Sequence, residues 1–340
     1  MAHDIFILLL GVVLLVAGGN YLTDGAVAVA KRFNVSPLMI GLTVVALGSS
    51  APDIAVCVEA AASHHTAIAV GEAVGANIFD LLLVVGVMAI IRPWKVGGMM
   101  LRTDLPMLVL SCVSLWIVAN TVLFDGTHDN MIDRSSGLML VLLFVIYMTV
   151  NVRSTKGAVV TPETHGVASS SRAVAESKGN IRIQVLSWLM IVGGFAAIII
   201  GGNWVVEGAS GIALKAGMSQ GLVALTVVAI ANSLPDLVTS VVATVKDQSG
   251  LAFGNIIGSC IMNILCALGI SSTIYPLLSD SIGIVDYLTL AGASVMVWLF
   301  PYLSRNRNLT RPEGILLVVA YLAYMTYLVL QATGTLHYIK

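Results

Sequence analysis

The sequence predicts an all-α polytopic membrane protein, with about ten transmembrane helices in two inverted five-helix repeats. Composition is the first observation. Of 340 residues, 58% are hydrophobic and 10% charged, whereas an ordinary soluble chain carries about 25% charged residues. The mean hydropathy of +0.95 agrees. Spacing is the second: apolar runs of the length that crosses a bilayer, about 20 residues, recur along the whole chain with short loops between them. The third is an internal repeat. Shifting the chain by 183 residues lays Gly18–Pro93 on Gly201–Pro276 without a gap, and 25 of the 76 positions are identical.

The 17 Lys+Arg and 18 Asp+Glu give a net charge of −1. That balance excludes a basic nucleic-acid binder, an acidic disordered tail and the conventional surface of a soluble enzyme. No enzyme activity and no cofactor are expected. The partners are the lipid bilayer and inorganic cations, and no obligatory protein partner is evident. Cys57, Cys112, Cys260 and Cys266 sit in apolar runs without CxxC spacing, so they form neither a disulfide framework nor a zinc site.

The apolar runs fall near residues 5–23, 36–62, 66–91, 105–124, 136–152, 183–206, 218–245, 250–273, 283–303 and 313–332. The first has no basic segment before it, and Gly18 already belongs to the repeat, so it is expected to remain as a span rather than be cleaved. The long polar stretch after Val152 is rich in Ser, Thr and charge and reads as a flexible linker. The organisation is therefore a first five-helix repeat at 1–152, a cytoplasmic linker at 153–182 and a second five-helix repeat at 183–340. With the N-terminus outside, 14 Lys and Arg (Lys31, Arg32, Arg92, Lys95 and Arg102 among them) lie in cytoplasmic loops. Only Arg134, Lys215 and Lys340 lie on the other side. The positive-inside rule then puts both termini on the non-cytoplasmic side of an inner or plasma membrane.

Within the repeat, Gly18-Gly19-Asn20 meets Gly201-Gly202-Asn203, and Ser50-Ala51-Pro52-Asp53 meets Ser233-Leu234-Pro235-Asp236. Five spans per half is an odd number, so the second copy is inverted. Inverted copies of this kind build secondary transporters whose site lies at the midplane between them. Gly71-x-x-x-Gly75 and Gly254-x-x-x-Gly258 read as close-packing positions between helices.

Asp53 and Asp236 lie inside otherwise apolar spans, where a bare carboxylate costs several kcal/mol (~3 or more) and calls for a partner, a proton or a cation. Each follows a proline, which frees backbone carbonyls near Gly48 and Ala231. Broken helix at membrane depth is tolerated only inside protein or beside a wet cavity. Ser49, Ser50, Asn232 and Ser233 flank the breaks. Carboxylate, hydroxyl and carbonyl oxygens together are the ligands of hard cations such as Ca²⁺ and Na⁺. The next span of the first half places Glu72, Ala76 and Asp80 at i, i+4 and i+8 on one face, and Asn255, Ser259 and Asn263 align with them. Four helices, two per copy, would close an oxygen cage. Glu72 is nearer its span's end and reads equally as a solvated entrance residue. Glu59 and the His64-His65 pair read as solvated loop-proximal groups.

At these residues the sequence resembles the calcium/cation antiporter superfamily, whose members carry two inverted repeats with G-[ST]-S-x-P-E and G-S-N-I-F-N type motifs. The resemblance covers nearly the whole chain and implies a prokaryotic sodium/calcium exchanger-like fold, alternating access and counter-transport of Ca²⁺ against Na⁺ or another cation. Carried over, the paired acidic ligands fall on Asp53 and Asp236. The hydroxyl ligands fall on Ser49, Ser50 and Ser233, with Asn232 where Thr is common. Carbonyl ligands fall on Ala46 and Ala229, and the second-stripe ligands on Ala76, Asp80, Ser259 and Asn263. The chain departs from the pattern in four places. Both central Glu positions are Asp, Ala76 lacks the usual hydroxyl, Glu72 stands where Asn is usual, and Asp80 and Asn263 reverse the expected Asn-then-Asp order.

The function these readings favour is Ca²⁺ export in exchange for Na⁺. Clustered carboxylates repel one another, so a proton-coupled exchanger is the rival, and a K⁺-dependent one is also open. A passive cation channel or an ion-coupled solute carrier is the reading from another class. A channel calls for a continuous pore, and a solute carrier for aromatic or cationic groups at its site, whereas the spans lack Lys and Arg.

Overall fold

The computed structural model describes residues 2–33, 35–125, 130–157, 181–215, 233–279, 282–304 and 306–332. In chain order the helices of ten residues or more are α1 (Ala2–Phe33), α2 (Pro37–Ser49), α3 (Ala51–Ala62), α4 (Thr66–Ile91), α5 (Met100–Ala119), α6 (Arg134–Gly157), α7 (Ile181–Lys215), α8 (Leu234–Val245), α9 (Ser249–Ile274), α10 (Ile284–Leu303) and α11 (Arg311–Ala332). Eight of them are long and apolar enough to cross a membrane, and α2 with α3 makes a ninth, broken span. The tenth expected span, 218–245, falls largely outside the described residues; its described part is α8. The expected linker likewise lies mostly outside them, although 153–157 continue α6.

The chain packs as two compact units. One holds Met1–Val45 with Val150–Gly254, the other Ala46–Thr149 with Asn255–Lys340. The first unit is built on α1 against α7, helices of 32 and 35 residues that are longer than the apolar runs alone suggested. At 1.5 Å per residue each is about 50 Å long, well beyond a hydrocarbon core of about 30 Å. Their polar ends account for the excess: Lys215 Nζ pairs with Asp4 at one end of the pair. At the other end of α1, Lys246 Nζ reaches Asp24 Oδ1 at 2.7 Å. Glycines recur every seven residues on both helices, at Gly11, Gly18 and Gly25 and at Gly194, Gly201 and Gly208. A Cβ at Gly18 would lie 2.8 Å from the Gly194 carbonyl oxygen, and one at Gly11 equally close to that of Gly201. The two backbones thus approach antiparallel at a distance only glycine permits, the small-residue packing that membrane helices use in place of a hydrophobic drive. Gly254 is placed in the same way against Leu38 within this unit. For Gly71 the counterparts of Leu38 and Leu42 at the 183-residue shift lie outside the described residues; among the described ones a Cβ on Gly71 would meet Ile282 at 3.7 Å, and one on Gly75 no atom within 4 Å.

In the second unit α4 and the greater part of α9 form the interior. Of their most apolar windows 72% and 94% is buried, whereas for the peripheral α11 the figure is 17%. The exposed apolar residues of α11 (Ile315, Leu316, Val319 and Leu322) follow helical spacing, a face that suits lipid rather than water. Both buried helices contain an i→i+5 segment, Phe79–Val84 in α4 and Met262–Leu268 in α9. These segments are repeat-mates at the 183-residue shift. Two short antiparallel pairs close the loops, Trp94–Lys95 with Asn308–Leu309 and Met131–Ile132 with Leu277–Leu278.

Candidate cation site

The break between α2 and α3 is a bend of 46°. Ser50 occupies the turn and Pro52 sits in the first turn of α3, where a missing N–H is harmless because the first helical donors have no intrahelical partner. The bend turns Ser49 and Ser50 inward together with Asp53, one turn on; all three are buried, with Asp53 4% exposed. The break foreseen at Pro52 is therefore present, and it gathers hydroxyls and a carboxylate.

The Ser49 hydroxyl lies 3.0 Å from Asn255 Oδ1, 3.1 Å from Ser259 Oγ and 3.3 Å from the Ala46 carbonyl oxygen. The Ala46 oxygen also accepts the backbone N–H of Ser50 at 2.9 Å. Asn263 Nδ2 donates to Asp53 Oδ2 at 3.0 Å and to Asn77 Oδ1 at 3.4 Å, and Asn77 Nδ2 donates to the Cys260 carbonyl at 3.0 Å. Asp80 is 1% exposed, on the first turn of its i→i+5 segment. Ser50 Oγ and Asn263 Oδ1 are buried without a hydrogen-bond partner among the described residues. An unmade hydrogen bond of this kind costs about 1–3 kcal/mol, so these two oxygens are suited to a ligand. Ala76 is buried, and Glu72 is only half-buried on the same helix.

In the first unit Asp236 follows Ser233 and Pro235 at the start of α8 and is buried. One turn on, Thr239 Oγ1 is buried without a partner among the described residues, and Ser240 Oγ donates to the Ala252 carbonyl at 3.4 Å. Asn232 and Ala229 lie outside the described residues. Among the described residues no group of three His, Cys, Asp or Glu could by itself hold a metal ion. The described oxygens come as much from amides and hydroxyls as from carboxylates.

The sequence reading missed Asn77, whose amide links Asn263 to the Cys260 carbonyl. It sits one residue off the 72/76/80 stripe; its signal is the first Asn of the G-S-N-I-F-N type motif, which falls on Gly75-Ala76-Asn77-Ile78-Phe79-Asp80. Asn255, the repeat-mate of Glu72, stands outside the ligand set that the family resemblance implies; its burial and its bond to Ser49 place it in the network. Asp104, another buried carboxylate, accepts from Tyr147 Oη at 3.3 Å in a separate contact between α5 and α6. Glu59 is exposed and accepts from Ser63, and His64 rests edge-on against Tyr275.

The chain matches the family described as sodium/calcium exchanger protein over residues 3–153 and 186–330. It is 32% identical to inner membrane protein YrbG of Escherichia coli over 328 residues, covering 95% of each chain. With sodium/calcium exchanger MaX1 of Methanosarcina acetivorans it shares 29% over 351 residues, 96% of this chain and 98% of that one. The solved structure of the sodium-calcium exchanger NCX_Mj superposes with a TM-score of 0.78 at 28% identity, covering 96% of this chain and 98% of that one.

Proposed function

Because the chain belongs to the sodium/calcium exchanger family, we propose that it exports Ca²⁺ in exchange for Na⁺ at one shared set of oxygens. The proposed carboxylates are Asp53, Asp80 and Asp236, with Asn263, Ser49, Ser50, Asn232, Ser233 and Ser259 as neutral ligands. The carbonyls of Ala46 and Ala229 complete the set, and Glu72 stands at its entrance. The observation that carries this reading is the bond from Asn263 to Asp53, because it joins one motif of each repeat through buried, ion-competent groups.

Three carboxylates give the set up to three negative charges. One Ca²⁺ or several Na⁺ balance such a set, but not both together, since the same oxygens serve each. Occupancy relieves the desolvation penalty of buried charge, several kcal/mol per ion (~3 or more). An empty site is therefore the costly state, and its occupancy is coupled to the step between inward and outward forms. The sliding elements are proposed to be α1 and α7, whose backbones meet at glycines. The repeats are proposed to span 1–152 and 183–340 with a cytoplasmic linker at 153–182, and both termini to lie on the non-cytoplasmic side of an inner or plasma membrane. The inner membrane named for YrbG supports that location, and the distribution of Lys and Arg supports the orientation.

The test is radioactive Ca²⁺ uptake into proteoliposomes loaded with Na⁺, with K⁺, or with a pH gradient. Uptake that requires internal Na⁺ is expected. Uptake driven only by the pH gradient, or only with K⁺ present, would replace Na⁺ as the coupling ion. Absence of Ca²⁺ flux under every gradient would overturn Ca²⁺ as the cargo.

A further inference from the structure

We infer that Asn77 is a positioning residue: it fixes which way the Asn263 amide faces and so makes the Asn263 oxygen an ion ligand. This rests on the shared-site reading above. An amide side chain has two faces of nearly equal shape, a carbonyl that accepts and an NH₂ that donates twice. Which face meets a neighbour is set by the surrounding donors and acceptors. Asn77 is fully buried, and its neighbour at 3.0 Å is the main-chain oxygen of Cys260. That oxygen only accepts, so Asn77 turns its Nδ2 to it and its Oδ1 the other way. At 3.4 Å from this Oδ1 lies Nδ2 of Asn263, itself fully buried, and the same Nδ2 meets Asp53 Oδ2 at 3.0 Å.

Both donor positions of Asn263 are thereby used, and its Oδ1 has no hydrogen-bond partner among the described residues. The reversed amide would set Oδ1 against two acceptors, Asp53 Oδ2 and Asn77 Oδ1. Orientation thus runs as a chain from the Cys260 backbone through Asn77 to Asn263. The repeat-mate of Asn263 is Asp80, a carboxylate whose two oxygens are equivalent and need no such orientation. The repeat-mate of Asn77 is Cys260, which offers a thiol and no amide. The orienting group is therefore present only in the half that faces an amide.

The experiment is a double-mutant cycle of Asn77→Ala and Asn263→Ala, read as half-saturating Ca²⁺ and maximal rate in proteoliposomes, with gel filtration as the check on folding. Asn77→Ala is expected to raise half-saturating Ca²⁺ about two- to ten-fold, the scale of one net hydrogen bond, with the maximal rate kept. In the Asn263→Ala background it is expected to add nothing, because the group it orients is gone. Unchanged half-saturation in Asn77→Ala, or two effects that simply multiply, would overturn the inference. If Asn77→Ala fails to fold, Asn77→Ser takes its place in the cycle, keeping a hydroxyl for the Cys260 carbonyl. A wild type without Ca²⁺ uptake overturns the cargo instead, and the cycle is then read on Na⁺ uptake.

Discussion

The hairpin of α3 and α4 and the hairpin of α8 and α9 share a backbone and differ in chemistry. His64 and Asp247, at matching places, both have positive φ, 61° and 63°. Both turns close with the same six-residue bond, His65 N–H to the Ala60 oxygen and Gln248 N–H to the Ala243 oxygen, each at 2.8 Å. Cys57 donates to the Ala69 carbonyl, and its mate Ser240 donates to the Ala252 carbonyl. The i→i+5 segments of α4 and α9 match as well. On this common frame stand unlike side chains: Asp80 against Asn263, Asn77 against Cys260, Glu72 against Asn255 and Val56 against Thr239. The two copies keep the hairpin turn and the bond between its two helices, and they carry different side chains on that frame.

The largest effect is expected where the copies agree. Asp53→Asn and Asp236→Asn should each reduce Ca²⁺ uptake to that of empty vesicles while the protein still elutes as the wild type does. Each removes a charge from the proposed set and leaves the fold's apolar packing alone. A wild-type rate in either variant would show that the halves do not contribute alike and that the shared site is wrong.

This agreement was the part legible in the sequence. Charged residues and prolines in apolar spans cannot hide, so Asp53, Asp236 and the break at Ser50 could be placed from spacing alone. The i→i+5 segments could not, because one added residue per turn leaves an apolar run looking unchanged; Asn77 stands in the quoted motif, but its bond to the Cys260 carbonyl is decided by packing. The glycine ladder between α1 and α7 was only half visible. Gly18 and Gly201 stood out as repeat-mates, but which helix each faces is decided by packing rather than by period.

A smaller effect is expected where the copies differ by charge. Asp80→Asn removes a charge from the proposed set. Asn263→Asp puts a carboxylate 3.0 Å from Asp53 and 3.4 Å from Asn77 Oδ1, where an amide now donates. Losing one member of a buried charged contact costs about 2–5 kcal/mol, so Asp80→Asn should weaken Ca²⁺ transport at least about 30-fold, and Asn263→Asp should also weaken it by setting two carboxylates against each other. The double variant restores the total charge in the order usual for the family and should recover part of that loss, measured as Ca²⁺ uptake. A double variant worse than both singles would mean that positions 80 and 263 are not interchangeable across the repeat.

The smallest effect separates Glu72 from its mate Asn255. Asn255 is fully buried, and its Oδ1 holds the Ser49 hydroxyl at 3.0 Å. Glu72 is only half-buried. Asn255→Ala removes one buried hydrogen bond, about 1 kcal/mol, and should raise half-saturating Ca²⁺ roughly five-fold. Ser49 then keeps only Ser259 and the Ala46 carbonyl of the three contacts it makes now. Glu72→Gln keeps the shape of a residue that water reaches, where the loss of a charge is worth about 0–1 kcal/mol, so its effect should stay below about three-fold at moderate salt. Complete loss of transport in Glu72→Gln would instead move Glu72 from the entrance into the ligand set. The two hairpins would then carry charge at both stripe positions of the first copy and at neither of the second.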